Sequence, residues 1–418
     1  MARIVDLRRG DPLPTLQADV LDPEVVDGAR SIIERVRAEG DAALVEMTRR
    51  YDGADIEGRI RVDDAEVARA TVPADLERAL EAAAERLRDL HGRQVPVAWE
   101  EERDGVRFGE VVRPVAGAGC YVPGGRASYP STVLMTAIPA RVAGVGRVVV
   151  CTPPAEDGSL APAVLVAARL AGVDDVFRVG GAQAVAALAF GTRTVPRVDV
   201  IVGPGNAWVT AAKREVSGQV GIDGLAGPSE LVVVADGSIP PPVLAADIVA
   251  QAEHDPQASA VLICLDPDLP DAVLAALEEE VRRSPRRGIV ERALEHAVVA
   301  IADEDGAVDV VDRLAPEHLQ VATSDPRRFV RRVRSFGAAF LGPHTPVSFG
   351  DYGVGSNHVL PTMTTARFTS GLRADRFVTV SSVVEATAEA AKLLGPDIER
   401  IASAEGLAAH ARASEVRR

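Results

Sequence analysis

Several residue types are scarce in this chain of 418 residues, and each scarcity excludes a class of protein. The three cysteines, Cys120, Cys151 and Cys264, are odd in number and form no CxxC pair, which argues against a disulfide framework and against a cysteine-ligated zinc site. The two lysines, Lys213 and Lys392, are not part of a GxxxxGK[ST] phosphate loop. Aromatic residues make up 4% of the chain, so platforms for stacking nucleic-acid bases are scarce.

Charge and hydropathy exclude two further kinds of partner. The net charge is −15, from 46 basic and 61 acidic side chains, so we expect no nucleic-acid partner and no anionic membrane partner. No apolar run approaches the ~18 residues of a membrane span, and the N-terminus lacks the apolar core of a signal peptide. The expected compartment is the reducing cytoplasm.

Most of the chain alternates β-branched runs, glycine turns and helical periodicity, which predicts parallel sheets with crossover helices. The predicted strands are 107–115, 147–151, 176–179, 199–202, 230–235, 260–265, 298–301, 319–322 and 338–341. The predicted helical stretches are 22–51, 75–90, 161–170, 182–190, 206–217 and the region from about 375 to the C-terminus. The simplest interpretation is two α/β domains that meet near Gly227-Pro228.

Two glycine turns follow predicted strands, at Gly180-Gly181 and at 203–205. The binding crevice of an open parallel sheet lies at such carboxyl ends. Each turn is either a tight connection or an anion site, in which the helix N-termini at Gln183 and Asn206 offer free N–H groups. Neither turn has the full GxGxxG spacing, so the pattern leaves both interpretations open.

Histidines divide into two groups by their neighbours. His91 and His296 lie in charged helical sequence and His344 lies in a turn, so we expect all three to be exposed. The other four stand near amides or carboxylates within apolar sequence, as in Gln251-Ala-Glu-His254, Glu317-His318, Asp351 with His358, and Glu405 with His410. An amide oxygen, two imidazoles and a carboxylate suit Zn²⁺, whereas each histidine taken alone is equally compatible with a structural role.

Nine short motifs occur in order along residues 30–410 and together carry a family resemblance. They are Tyr121-Val-Pro-Gly-Gly, Gly180-Gly-Ala-Gln-Ala, Gly203-Pro-Gly-Asn, Ala226-Gly-Pro-Ser-Glu, Gln251-Ala-Glu-His, Pro316-Glu-His-Leu, Gly350-Asp, Ser356-Asn-His-Val-Leu-Pro, and Glu405 with His410. The set resembles the histidinol dehydrogenase family. Each motif is weak alone, but the ordered series is specific to that family.

The resemblance implies an NAD-dependent homodimer with one Zn²⁺ per subunit, which oxidises L-histidinol through L-histidinal to L-histidine in the last steps of histidine biosynthesis. It implies an α/β fold with two related Rossmann-like parallel-sheet domains, as in aldehyde dehydrogenases, and small N- and C-terminal helical segments. We therefore divide the chain into an N-terminal arm (1–20), a discontinuous first α/β domain (21–120 and 229–372), a second, NAD-contacting α/β domain (121–228) and a C-terminal helical segment (373–418) that reaches the partner subunit.

Motif by motif, the resemblance also implies residue roles. Glu317 and His318 would be the catalytic pair. NAD would contact Tyr121, Gln183 and Asn206. Zinc would be held by Gln251, His254, Asp351 and His410. The substrate would contact Ser229, Gln251, His254, His318, Asp351, His358, Glu405 and His410, with the homodimer sharing its active sites.

Other hypotheses remain open at this point. The stretch 373–380 departs from the family pattern, with Thr379 where a lysine is usual, and 346–351 also resembles relatives that oxidise other alcohols such as sulfonated propanediols. A paralogue with the same zinc and NAD chemistry is therefore one alternative. A cysteine-based aldehyde dehydrogenase that uses Cys120 or Cys151 is a second, and a non-catalytic zinc scaffold is a third.

Overall fold

The computed structural model describes residues 3–14, 21–124 and 128–418; Gly125, which ends the first motif, lies outside the described residues. Within these ranges the chain forms two parallel sheets and one small antiparallel sheet. Sheet I comprises strands of residues 117–222, sheet II comprises strands of 230–341 together with β1 (Arg3–Asp6), and sheet III joins residues 99–114 to 378–386. None of the helices in the described ranges is long and apolar enough to span a membrane.

Four helices come before the strands of sheet I in the chain and contribute to the cores on its two sides. They are α1 (Pro23–Glu39), α2 (Asp41–Asp52), α3 (Asp64–Arg69) and α4 (Ala74–Gly92). The single helical stretch predicted over 22–51 is interrupted at Gly40, whose φ of +60° favours glycine and ends α1. The apolar faces of α1 and α2 join the core on one side of sheet I and that of α4 joins the core on the other, where α1 and α4 pack on the helices that cover the sheet. The prediction that 21–120 belongs with 229–372 therefore differs from the packing, which places α1–α4 with sheet I.

Sheet I is built from alternating strands and helices. In chain order they are β4 (Gly117–Tyr121), α5 (Pro130–Val142), β5 (Arg147–Thr152), α6 (Pro162–Ala171), β6 (Asp175–Arg178), α7 (Gly181–Phe190), β7 (Val200–Val202), α8 (Ala207–Val216) and β8 (Gly221–Ile222). The strand order is β6-β5-β4-β7-β8, all parallel. Both faces are covered, which explains why β5 is a continuous apolar run rather than an alternating one.

Sheet II repeats this plan. Its elements are β9 (Glu230–Ala235), α9 (Pro241–Ala252), β10 (Ser259–Cys264), α10 (Leu269–Arg283), α11 (Arg287–Ala293), β11 (Val298–Ile301), α12 (Glu304–Leu314), β12 (His318–Ala322), α13 (Pro326–Val330), β13 (Ala338–Leu341) and α14 (Val347–Tyr352). The order is β1-β11-β10-β9-β12-β13. Part of the predicted N-terminal arm is thus an ordered edge strand, because β1 pairs with β11.

The two parallel sheets share one topology, which confirms the prediction of two related α/β domains. In each, the next two strands of the chain lie in order on one side of the first strand, β4 or β9, and the last two lie on its other side; β1 extends sheet II at one edge. The strand order therefore reverses beside β4 in sheet I and beside β9 in sheet II. Crevices for ligands form at such reversal points.

The C-terminal region differs from the predicted helix, because part of it forms a strand of sheet III. The antiparallel order is β14-β3-β2, where β2 is Trp99–Arg103, β3 is Val106–Pro114 and β14 is Val378–Ala386. The region from 375 was expected to be helical, but after a short 3-10 turn (Ala374–Phe377) it forms the strand β14, because its Val-Thr-Val-Ser-Ser-Val-Val run pairs with β3. Helices α15 (Ala388–Ala404) and α16 (Ala408–Glu415) follow.

Candidate active site

The predicted catalytic pair lies at the amino edge of sheet II. His318 is the first residue of β12 and Glu230 is the first residue of the neighbouring β9. Helix α9 runs back along the sheet and ends beside the same edge, before β10 begins at Ser259. This edge meets the carboxyl end of sheet I, since the hydroxyl of Thr132 at the start of α5 lies 3.2 Å from Nε2 of His358. The site therefore occupies the junction of the two sheets.

The ring of His318 is buried and its two nitrogens have different surroundings. Nδ1 lies 3.2 Å from the carbonyl oxygen of Glu230 and 3.4 Å from Oε2 of Glu317. Because a carbonyl only accepts, Nδ1 carries the proton of the neutral ring. Nε2 then presents a lone pair; it is buried, lacks a hydrogen-bond partner among the described residues, and lies 4.0 Å from Oδ1 of Asp351.

Electrostatics strengthen His318 as a base. Burial by itself lowers the pKa of the imidazole, but the negative charge and hydrogen bond of Glu317, with the charge of Asp351, outweigh burial and raise the pKa above its usual value. A raised pKa means that Nε2 holds a proton more tightly once it has taken one. Glu317 is fixed in turn, because its Oε2 accepts the backbone N–H of Glu230 at 3.0 Å.

His358 fixes the backbone of Asp351 through a hydrogen bond. Nδ1 of His358 lies 3.2 Å from the carbonyl oxygen of Asp351 and therefore donates to it, which leaves Nε2 to accept from the hydroxyl of Thr132. Burial lowers the pKa of His358, so the ring is neutral at pH 7. Both of its nitrogens are engaged within the protein. The structure thus places His358 in the site as a support for Asp351, while its predicted contact with substrate stays a prediction.

Helix α9 brings Gln251 to the same place. Gln251 is buried in the last turn of α9, which packs against α14, the helix that carries Asp351. One turn earlier, Asp247 accepts from the amide of Gln320 at 2.6 Å, and this bond fixes α9 to β12 two residues beyond His318. His254 follows the end of α9 and is exposed. Ser229 lies directly before β9 and is partly buried.

The remaining two predicted site residues, the substrate contact Glu405 and the zinc ligand His410, lie in the exposed C-terminal segment. Glu405 follows the end of α15 and His410 lies in α16, and both side chains are exposed. Across residues 3–14, 21–124 and 128–418, no three His, Cys, Asp or Glu side chains group closely enough to hold a metal ion. The predicted set of four ligands is therefore not assembled within a single chain.

The predicted NAD residues gather at the carboxyl edge of sheet I. Tyr121 ends β4, and its hydroxyl accepts the N–H of Gly181, the first residue of α7, at 3.1 Å. Gln183 lies buried in the first turn of that helix. Asn206 caps α8, since its Oδ1 accepts the N–H groups of residues 208 and 209 at 3.1 and 3.2 Å. All three residues lie near β4, where the strand order reverses.

A buried ion pair beneath this edge had no predicted role. Nζ of Lys213 donates to the carbonyl oxygen of Gly203 at 3.0 Å and pairs with Asp223, which also accepts the N–H of Gly203 at 2.7 Å. Gly203 has a φ of +118°, and a β-carbon there would lie 2.0 Å from the carbonyl oxygen of Tyr121. The scarcity of lysine was the one sequence signal that could have singled out Lys213.

Two expectations are wrong or lose their support. His91 is fully buried rather than exposed, because it lies on the inner face of α4, where its Nδ1 bonds Gln94 at 2.7 Å and its Nε2 bonds Asn357 at 3.2 Å. Cys120 and Cys151 are fully buried in neighbouring strands, and burial raises the pKa of the Cys120 thiol to about 12 and raises that of Cys151 as well. Buried thiols of this kind are poor nucleophiles, which argues against a cysteine-based mechanism.

Comparison with known proteins points to one family. The family model described as histidinol dehydrogenase matches residues 17–418. A histidinol dehydrogenase from Synechococcus sp. is 46% identical over 423 positions, which cover 100% of this chain and 95% of that protein. The crystal structure of histidinol dehydrogenase from Elizabethkingia anophelis has a TM-score of 0.93 and 34% identity, covering 100% of this chain and 98% of that one.

A more distant likeness concerns the fold alone. An acetylating aldehyde dehydrogenase from Geobacillus thermoglucosidasius aligns with a TM-score of 0.50 and 12% identity, covering 87% of this chain and 97% of that one. The expected aldehyde-dehydrogenase-like arrangement of two α/β domains is thereby confirmed. With a family model that spans nearly the whole chain and a relative of 46% identity, this oxidoreductase belongs to the histidinol dehydrogenase family.

Proposed function

We propose that the protein oxidises L-histidinol through L-histidinal to L-histidine and transfers two hydrides to NAD⁺. The observation that carries the proposal is the free Nε2 atom of His318, buried at the junction of the two sheets with Glu317 fixed at the opposite side of the ring. An alcohol loses hydride only as its hydroxyl loses a proton, so a buried base at this place is what the chemistry requires.

In the first oxidation Nε2 of His318 takes the hydroxyl proton. The carbonyl oxygen of Glu230 holds the Nδ1 proton in place, which keeps the lone pair on the nitrogen that faces Asp351. As the imidazolium forms, the carboxylate of Glu317, 3.4 Å from Nδ1, stabilises its charge. General-base catalysis of this kind contributes about 10²–10⁴-fold to the rate.

The second oxidation needs water, because an aldehyde has no hydroxyl proton to lose until it is hydrated. Glu317 is buried next to the base and is oriented by the backbone N–H of Glu230 at 3.0 Å. We assign it the activation of this water. The same carbon thus gives up a hydride in each step, and holding the reactive aldehyde at the site between the steps prevents its escape.

Nicotinamide cofactor is assigned to the carboxyl edge of sheet I. Bound NAD⁺ supplies the hydride acceptor for both steps. Tyr121, Gln183 and Asn206 lie near the point where the strand order reverses, and the turns of 180–181 and 203–205 lead into helix N-termini there. Helix N-termini and a reversal point are what a pyrophosphate group requires.

Zinc is assigned to Gln251, His254, Asp351 and His410, because these donors fit the ion. Amide oxygen, imidazole nitrogen and carboxylate oxygen are borderline-to-hard ligands that suit Zn²⁺. The contact of α9 with α14 brings Gln251 toward Asp351, and the unpartnered Nε2 of His318 faces the same carboxylate. Zinc, when bound, supplies a Lewis acid that holds the imidazole and amino nitrogens of the substrate. Glu405 is assigned to accept a hydrogen bond from an N–H of that amino group.

A homodimer with shared active sites is proposed to complete each site. The C-terminal segment 378–418 exposes apolar side chains that a monomer would leave in water, with Val384 exposed by 69%, Leu393 by 62% and Ile401 by 62%. Exposed apolar faces of this extent are typical of protein interfaces. Docking of this segment on a second copy would bury these side chains and bring His410 to the partner's Gln251 and Asp351. The three free, buried cysteines suit the reducing cytoplasm, where we place the enzyme.

The decisive experiment measures NADH formed from limiting L-histidinol, before and after a chelator removes metal and zinc restores it. We expect two NADH per histidinol, activity lost with the metal and activity regained with zinc. A folded, zinc-replete protein that leaves histidinol unchanged would contradict the assignment. Turnover of another alcohol in a parallel panel, such as a sulfonated propanediol, would then identify the paralogue.

A further inference from the structure

The carboxyl group of Glu230 has no part in the chemistry described above, yet it lies half-buried at the centre of the site. Glu230 begins β9, and its backbone bonds both members of the catalytic pair: its N–H donates to Glu317 at 3.0 Å and its carbonyl accepts from His318 at 3.2 Å. Its side chain points elsewhere, and Oε1 accepts the backbone N–H of Met363 at 2.8 Å. One residue thus links the catalytic pair to the segment around Met363.

That segment is a strained turn. Met363 and Thr364 have φ of +53° and +63°, a left-handed conformation that side chains other than glycine rarely adopt. Two consecutive residues of this kind persist only when their surroundings hold them. Two hydrogen bonds with residues 227–230 hold this turn: Gly227 N–H donates to the hydroxyl of Thr362 at 2.6 Å, and Met363 N–H donates to Glu230.

Residues 226–230, which we call the strap, connect three parts of the site. At one end the hydroxyl of Thr210, one turn beyond Asn206 on α8, donates to the carbonyl of Ala226 at 2.8 Å. In the middle the strap carries Ser229, a predicted substrate contact. At the other end Glu230 bonds the catalytic pair. The 362–364 turn, which bonds Gly227 and Glu230, therefore fixes the position of the strap.

We propose that the side chain of Glu230 is a positioning residue for the reaction, which fixes Glu317 and His318 by holding the strained 362–364 turn against the strap. This inference rests on the proposed function. The hydrogen bond, rather than the negative charge, performs the positioning, because a carboxylate, a carboxylic acid and an amide all offer an oxygen to Met363 N–H. Burial, with the nearby charge of Glu317, raises the pKa of Glu230 to about 7, so both protonation states occur near neutrality.

Four variants test the proposal. Glu230→Ala removes the acceptor and Glu230→Gln keeps it, while Thr362→Val removes the hydroxyl that accepts from Gly227 N–H. Asp236→Ala is the matched control. Asp236 follows the opposite end of β9, and its carboxylate accepts the N–H of Ser324, in the turn after β12, at 2.8 Å. It therefore makes the same kind of strand-end bond, far from the site.

For Glu230→Ala we expect kcat with L-histidinol to fall roughly 10–100-fold, as for an ångström-scale misplacement of catalytic groups. The KM for NAD⁺ should stay unchanged, because the predicted NAD residues lie on sheet I. The deuterium isotope effect on kcat from histidinol labelled at the carbinol carbon should rise, since hydride transfer becomes slower than product release. Thr362→Val should shift both quantities the same way, and Glu230→Gln should restore wild-type values.

Asp236→Ala should lower the melting temperature while leaving kcat and the isotope effect at wild-type values. The proposal is overturned if Glu230→Gln is as slow as Glu230→Ala, which would mean that the charge matters. It is also overturned if Glu230→Ala retains a wild-type isotope effect, which would mean that a smaller fraction of normal enzyme is present. Should Glu230→Ala fail to fold, Thr362→Val and Glu230→Gln decide alone. Wild-type protein that leaves histidinol unchanged would instead contradict the proposed function.

Discussion

The carbonyl oxygen of Glu230 lies 3.2 Å from Nδ1 of His318 and thereby determines which nitrogen of the ring is the base. Since the carbonyl cannot donate, the neutral ring keeps its proton on Nδ1, and Nε2 faces Asp351 with its lone pair free. A backbone group at the start of β9 thus performs the orienting role that a side-chain carboxylate performs in other catalytic dyads and triads. His318 and Glu317 therefore have different roles, which separate variants can test.

His318→Gln should abolish both oxidations. Glutamine has no basic nitrogen at this place, so we expect kcat to fall by about 10²–10⁴-fold, the usual contribution of a general base. Metal content and melting temperature should stay near the wild-type values, because the amide can still donate to the Glu230 carbonyl. NADH formation under saturating substrate measures the loss, and a variant that kept more than about a tenth of wild-type kcat would exclude His318 as the base.

Glu317→Gln should separate the two steps. The amide cannot activate water, so the rate with added L-histidinal should fall further than the rate of the first hydride transfer from L-histidinol. Single-turnover measurement of NADH from each substrate distinguishes these steps. Equal losses with both substrates would mean that Glu317 acts only by stabilising the imidazolium of His318.

The sequence predicts most strands of sheets I and II because they are buried on both faces, but it misses the central strand β4, whose Gly-Ala-Gly run lacks the β-branched residues typical of strands. Continuous apolar runs such as 147–151 and 298–301 leave few alternatives, and the observed strands agree to within one or two residues. By contrast, β14 was missed because its partner, β3, lies about 270 residues earlier in the chain. His91 was judged by its charged neighbours, but its environment is set by Asn357, 266 residues away.

The candidate site, too, was only partly predictable from the sequence. The ordered motifs pointed to Glu317, His318 and Asp351, and their neighbours in the chain supplied that signal. Sequence position could not reveal that sheet I contributes its carboxyl edge while sheet II contributes its amino edge. Nor could it supply the tautomer of His318, which depends on a backbone carbonyl of another strand. Relationships of this kind arise only when distant segments pack together.

Lys213→Met should weaken cofactor binding. The change leaves Asp223 buried without its cation, and breaking a buried pair in this way costs about 3–5 kcal/mol of folding stability. It also frees the carbonyl of Gly203, so the turn that precedes Asn206 loosens and the KM for NAD⁺ should rise, while the KM for histidinol changes less.

The chain provides its own control in the second lysine. Lys392 is exposed on α15, and Lys392→Met should leave the KM for NAD⁺ unchanged. Binding can be followed without turnover through the fluorescence of Trp208, two residues beyond Asn206, in a Trp99→Phe background. Identical NAD⁺ titrations for the two lysine variants would show that the ion pair does not support the cofactor turn.

Asp52→Asn should make the protein more stable at neutral pH. Burial raises the pKa of Asp52 from 3.8 to about 6, and its Oδ2 is buried without a hydrogen-bond partner among the described residues. As pH rises past 3.8 the unfolded chain loses this proton first, so wild-type stability declines until the folded protein ionises near pH 6. Since part of this carboxyl stays in water, the raised pKa corresponds to less than about 3 kcal/mol, part of which the amide would recover above pH 6.

Urea unfolding from pH 3.5 to 7.5 checks this prediction. The difference between Asp52→Asn and wild type should grow between pH 4 and pH 6 and then stay constant. Asp55→Asn is the matched control, because Asp55 is exposed and its Oδ1 accepts the N–H of residue 57, a bond that asparagine retains. A difference for Asp52→Asn that does not vary with pH would mean that this carboxyl ionises normally in the folded protein.

Hybrid dimers should reveal whether His410 serves its own chain or the partner. In a single chain His410 is exposed on α16, whereas Asp351 and His318 lie at the junction of the sheets. If the C-terminal segments are exchanged, a dimer of one His318→Gln chain and one His410→Asn chain has one doubly defective site and one intact site. Unfolding and refolding the two inactive variants together should therefore recover about a quarter of wild-type activity from random assembly. If His410 acted within its own chain, every site in the hybrid would carry one defect, and the mixture would stay as inactive as its parents.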